Sequence, residues 1–104
     1  MKIQFSDNEI RIRISQAEFE TLKISAEFNY SLEYLALAVK LKVVAAPSCG
    51  TINPREVQLF LTADDLAFME KADSKKAGVK LLLQQPNGIE IAADVQVDLH
   101  SKRD

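Results

Sequence analysis

Residues 10–22, IRIRISQAEFETL, and residues 57–69, VQLFLTADDLAFM, carry the same chemistry in the same order without a gap. Ile10, Ile12 and Ile14 correspond to Val57, Leu59 and Leu61, alternating with Arg11 and Arg13 in one copy and Gln58 and Phe60 in the other. Period-2 alternation of this kind is the pattern of a strand with one buried face. A hydroxyl residue follows in each copy, Ser15 and Thr62, then an acidic residue three positions on, Glu18 and Asp65. That spacing is a capping box, in which the two side chains satisfy the first free amides of a helix. Phe19 and Leu22, matched by Leu66 and Met69, supply the apolar pair one helical turn apart. No position is identical between the copies, so the echo lies in chemistry alone. It predicts two strand–helix–strand units, either related by a pseudo-twofold axis or alike only because both carry the generic signals of a strand running into a helix.

The remaining segments are read around this frame. Residues 1–5 predict a short strand, and Ser6, Asp7 and Asn8 a turn. The first helix is expected to end near Lys23, followed by a strand over 25–30. Residues 32–45 predict one long strand, with Leu35, Leu37, Val39, Leu41 and Val43 on its buried face. The segment APSCGTINPRE, 46–56, holds two prolines and a glycine and predicts a loop. KADSKKAG, 71–78, ends the second helix, with Gly78 available as a left-handed cap. A strand is expected over 79–84, a turn at Pro86-Asn87-Gly88 and an alternating strand over 89–99. Leu37, Val39, Leu81, Ile91 and Val95 are expected in the core. The chain reads as a single domain over 1–104, with 98–104 a loose tail. The fold class is α+β: about seven mostly antiparallel strands, curled into a barrel or two layers, with two short helices.

The stretches MKIQF and IRIRIS, Glu18, and the later VQLFLTADDLAFMEKADSKKAGVKLLL are similar to a family of small bacterial proteins of unknown function. Those proteins open with Met-Lys, a short turn and an Ile/Leu-Arg alternation that runs into a Ser- or Thr-capped helix. Strand, helix and strand then recur. This chain has Gly78-Val79 where that pattern has Val-Gly, and DVQVDLHSKRD has no counterpart in it. The resemblance implies an arrangement of elements and no activity.

Net charge and site chemistry narrow the function. The formal net charge is −2 with a pI near 5.4, which argues against a dedicated nucleic-acid binder. The single cysteine, Cys49, excludes an internal disulfide and a multi-cysteine metal site. No apolar run reaches the roughly 18 residues of a membrane helix, and no secretory signal opens the chain, so a cytoplasmic location is expected. The Asn29-Tyr30-Ser31 sequon carries no weight without such a signal.

Arg11 and Arg13, joined by Lys40 and Lys42, are the candidate site for an anionic ligand. The competing reading makes them a solvated strand face that discourages edge-to-edge aggregation. Asp64 and Asp65 are adjacent carboxylates, but the first turn of a helix favours negative charge without any catalytic role. His100 is the only histidine, and neither it nor Cys49 has the local signature of a thiol enzyme. Gly50, Gly78 and Gly88 are too far apart to build a phosphate-cradling loop. Tyr30 and Tyr34 read as core or rim residues. No catalytic residue, metal site or cofactor is expected. The function expected from the sequence is a small non-enzymatic binding module acting with a protein partner or with itself. The alternative is an anionic-ligand binder or enzyme with a pocket in the curled sheet.

Overall fold

A computed structural model describes residues 1–71, 78–85 and 87–98. The expectations for 72–77, for Pro86 and for the tail from Leu99 onward, His100 included, fall outside the described residues, while Asp98, expected to open the tail, lies instead in a strand opposite Ser15. The fold is α+β, with eight strands where about seven were expected, in one curled half-barrel sheet with two helices. In chain order they are β1 (Lys2–Phe5), β2 (Glu9–Ser15), α1 (Gln16–Ser25), β3 (Glu27–Leu32), β4 (Leu37–Val43), β5 (Cys49–Asn53), β6 (Glu56–Leu61), α2 (Ala63–Lys71), β7 (Val79–Gln84) and β8 (Glu90–Asp98). Across the sheet the order is β1-β2-β8-β7-β5-β6-β4-β3. Four neighbouring pairs are antiparallel hairpins, and β2·β8, β4·β6 and β5·β7 are parallel.

The inner rows of the sheet and one side of each helix form a single core. Ile10, Ile12, Ile14, Val57, Leu59 and Leu61 are buried as the alternation requires, and Phe19, Leu22, Leu66 and Met69 cover them from the helices. Val39, Leu81 and Val95 are buried as expected, whereas Leu37 and Ile91 are only partly buried at the margin of the core.

The internal echo extends beyond the two strand–helix segments. Each half is a hairpin, a helix and a second hairpin. β2 of the first half lies parallel to β8 of the second, and β6 of the second lies parallel to β4 of the first. Exchanging the halves therefore maps one pairing onto the other. Both capping boxes form. The Glu18 and Asp65 amides donate to Ser15 Oγ and Thr62 Oγ1 at 3.1 and 3.2 Å, and the reciprocal bonds to Glu18 Oε1 and Asp65 Oδ2 are 2.7 and 2.8 Å. Each capping carboxylate takes one further donor from 17 residues upstream. The Met1 ammonium reaches Glu18, and Ser48 Oγ reaches Asp65. Lys23 and Glu70, 47 residues apart and equivalent under the repeat, bond to each other at 2.8 Å. Two equivalent positions can meet this way only near the pseudo-twofold axis.

Three local expectations are corrected. The long strand over 32–45 is broken by a 3₁₀ turn over Glu33–Leu35, and Ala36 adopts φ 51°. The break leaves Tyr34 and Leu35 exposed. The expected loop over 46–56 contains β5, whose Gly50 and Ile52 face inward, while Pro47 and Pro54 flank the strand rather than interrupt it. Gly78 is not a left-handed cap, since Gly88 is the glycine with positive φ among the described residues. Gly78 instead lies so close to β8 that a Cβ would collide with Asp94 and Gln96. Among the described residues left-handed caps form at Ala26, φ 60°, which ends α1 and whose amide donates to the Leu22 carbonyl, and at Ala36 after the 3₁₀ turn.

The repeat is incomplete at one seam. β5 and β7 pair through Gly50 with Leu83 and Thr51 with Gln84. A Cβ on Gly50 would drive into Leu83 Cδ2 and lie 3.0 Å from the Gln58 carbonyl oxygen, so the seam closes only because no side chain is there. The register places Ile3, opposite Ile12, where Gly50 stands opposite Leu59. A sec-butyl group there bars the same approach, and β1 and β3 remain the free edges of the sheet.

Candidate ligand-binding face

The outer face of β1, β2, β8 and β7 gathers the candidate arginines with cations from other strands. Because Ile10, Ile12 and Ile14 point into the core, Arg11 and Arg13 point outward and are exposed. Lys2 lies opposite Arg13 and Gln4 opposite Arg11 on β1. On the other side, Asp94 and Gln96 of β8 lie opposite Arg11 and Arg13, and Lys80 of β7 lies opposite Asp94. These residues and Glu9 line a recess of about 500 Å³. Arg11 and Arg13 are about 6.6 Å apart at Cα, and Lys80 stands two strands, about 10 Å, from Arg11.

Charge within the recess is only partly compensated. Arg11 Nε donates to Glu9 Oε1 at 3.1 Å. Lys2, Arg13 and Lys80 make no ion pair among the described residues. Asp94 is 6% exposed, and its Oδ1 has no hydrogen-bond partner among the described residues. Its Oδ2 accepts a long bond, 3.4 Å, from Gln96 Nε2.

Lys40 and Lys42 do not join this group. They project from the same face of the sheet but on β4, five strands from β2, or about 24 Å along the sheet. Lys40 pairs with Glu56 at 3.1 Å. The Gln58 amide first, then Lys40, hold the Glu56 carboxyl below its ordinary value. The four basic residues singled out in the sequence thus divide into two pairs, and only Arg11 and Arg13 meet further cations in a recess.

The other sequence candidates take structural positions. Asp64 is exposed, while Asp65 caps α2. Burial acts to raise the Asp65 carboxyl, but hydrogen bonds from Ser48 and Thr62 outweigh it and hold the group below the ordinary aspartate range. Cys49 is exposed on β5 opposite Phe60. Tyr30 packs at the core margin. Among the described residues no cluster of three His, Cys, Asp or Glu side chains could hold a metal ion, and no helix is long and apolar enough to cross a membrane.

Lys2, Lys80, Asp94 and Gln96 were not singled out from the sequence. The alternation of VKLLLQ already places Lys80 outward, but nothing local says that β8 brings it within two strands of Arg11, across Asp94. A second recess, about 480 Å³, opens at one margin of the core and is lined by Phe5, Leu37, Ile52 and Val57 among others. In comparison with known proteins, the chain matches no family model, no curated protein and no solved structure.

Proposed function

We propose that this protein is a binding module that holds an anionic ligand on the outer face of β1, β2, β8 and β7. The observation that carries the reading is the convergence of Lys2, Arg11, Arg13 and Lys80, from three strands, on one recess. Four cations outnumber the two carboxylates of the recess, Glu9 and Asp94, and of the four only Arg11 has an ion-pair partner among the described residues. The guanidinium groups offer forked donors suited to carboxylate or phosphate oxygens. The cations span roughly 7 Å along the strands and about 14 Å across them, from Lys2 on β1 to Lys80 on β7, wider than one phosphate or carboxylate. The ligand therefore carries at least two anionic groups. It is bound and not transformed in this reading.

Calorimetric titration of the full chain with inorganic tripolyphosphate at low ionic strength tests the proposal. Binding is expected in the wild type and in Lys40→Gln/Lys42→Gln, and is expected to be lost in Arg11→Gln/Arg13→Gln. Equal loss in both double variants, or no binding by the wild type, overturns it.

A further inference from the structure

We propose that the free edge of β1 accepts an extended segment of a partner protein as an added strand, and that this segment alternates acidic and apolar side chains. The proposal rests on the anion-binding reading for the acidic half of the pattern. The edge is competent for pairing. In the β1–β2 hairpin the Ser6 amide donates to the Glu9 carbonyl at 2.9 Å, which makes Ser6 and Glu9 a hydrogen-bonded pair. Alternation along an antiparallel ladder then makes Gln4·Arg11 and Lys2·Arg13 bonded pairs. The N–H and C=O groups of Ile3 and Phe5 are left directed away from β2, where no strand of the sheet lies.

The other half of the molecule shows what belongs there. At the equivalent edge of β5 lies a parallel strand, β7. Within this chain the strand equivalent to β7 is β3, and Ile3 in place of Gly50 keeps it away. An incoming segment can seat at its own distance with side chains fitted to Ile3, which a tethered strand of fixed sequence does not offer. Main-chain addition of this kind gives affinity through the ladder and specificity through alternate side chains.

The two faces of the edge fix the pattern. Outward side chains of an added strand would stand about 5 Å from Lys2 and about 10 Å from Arg13, neither of which has an ion-pair partner among the described residues. Acidic residues match that row. Inward side chains would fall beside Ile3 and Phe5, and Phe5 lines the recess shared with Leu37 and Ile52. Phe5 is 52% exposed there, so apolar residues match that row.

The test is fluorescence anisotropy with a fluorescein-labelled heptapeptide of alternating glutamate and valine and the full-length chain. Saturable binding is expected, lost when lysine replaces glutamate in the peptide. Phe5→Pro removes an outward N–H at an edge position where proline is tolerated. It is expected to weaken peptide binding about tenfold relative to Phe5→Leu, which keeps the N–H. Both variants are expected to bind tripolyphosphate as the wild type does. A peptide N-methylated on alternate nitrogens gives the same contrast on the unmutated protein. Equal peptide affinity for Phe5→Pro and Phe5→Leu, together with equal affinity for methylated and unmethylated peptide, overturns the proposal. So does wild-type binding of tripolyphosphate without binding of peptide, an outcome that leaves the anion-binding reading intact. A dimer in solution that dissociates in Phe5→Pro would assign the edge to a second copy of the chain and also overturn it.

Discussion

Replacing Gly50 with alanine tests the cause given for the asymmetry between the two seams. In an open strand the change would stabilise by about 0.4 to 1 kcal/mol, because alanine loses less conformational freedom on folding. Here the added Cβ runs into Leu83 Cδ2, and it lies 3.0 Å from the Gln58 carbonyl oxygen and 3.1 Å from Leu59 Cδ2. Leu83 is fully buried and cannot swing into solvent. Overpacking of this type costs about 1 to 3 kcal/mol. A loss of ~2 kcal/mol would lower Tm by about 8 to 16 °C in a domain of this size. Leu83→Ala alone should cost about 2 to 5 kcal/mol through lost burial and a cavity. With both changes the new methyl enters the space that Leu83 vacates, so the double variant should be less destabilised than the sum by about 1 kcal/mol or more. Urea unfolding followed by circular dichroism measures all four corners of the cycle. A neutral or stabilising Gly50→Ala, or additivity within about 0.5 kcal/mol, would refute the steric account of the closed seam.

Three further outcomes follow from the packing and the caps. The folded-state pKa of Asp65 lies below its unfolded value, so the stability this carboxylate contributes is present above about pH 4 and is lost as pH falls through the depressed pKa. The Tm difference between wild type and Asp65→Asn should therefore shrink steadily below about pH 4, and a gap independent of pH would contradict the ionised cap. Leu41→Ala should cost about 2 to 5 kcal/mol and Leu37→Ala clearly less, since Leu41 is fully buried and Leu37 lies at the core margin; equal losses in chemical denaturation would place Leu37 in the core after all. Arg11→Gln/Arg13→Gln should shift stability by less than about 1 kcal/mol, because exposed ion pairs contribute little; a larger loss on melting would make the pair structural.

Most of the local structure was legible because it is written in short-range periodicity. The hairpin from β1 to β2, both capped helices and the buried isoleucines all follow from residues within about one turn or one strand of each other. The errors have local physical causes. Apolar alternation runs unbroken through Leu35 and Leu37, while the turn between them depends on Ala36 adopting a left-handed conformation that alanine seldom takes. The strand β5 was hidden because Pro47 and Pro54 dominate its surroundings and its closest contact is made by a glycine with no side chain to show a facing. The candidate site was half legible. The outward facing of Arg11 and Arg13 follows from register, since a one-residue slip would expose three isoleucines. Their meeting with Lys80 and Asp94 depends on the parallel pairing of β2 with β8, segments separated by most of the chain. No local pattern records such a pairing, and the same ignorance of strand order joined Lys40 and Lys42 to arginines that lie five strands away along the sheet.

Residue-resolved titration of the isotopically labelled chain with tripolyphosphate, followed by backbone amide and arginine side-chain resonances, tests the proposed anion-binding face most directly. The expected result is saturable shifts at Lys2, Gln4, Arg11, Arg13, Lys80 and Gln96, with Lys40 and Lys42 unmoved. Shifts centred on Lys40 and Lys42, or small unsaturable shifts spread over every exposed cation, would contradict it.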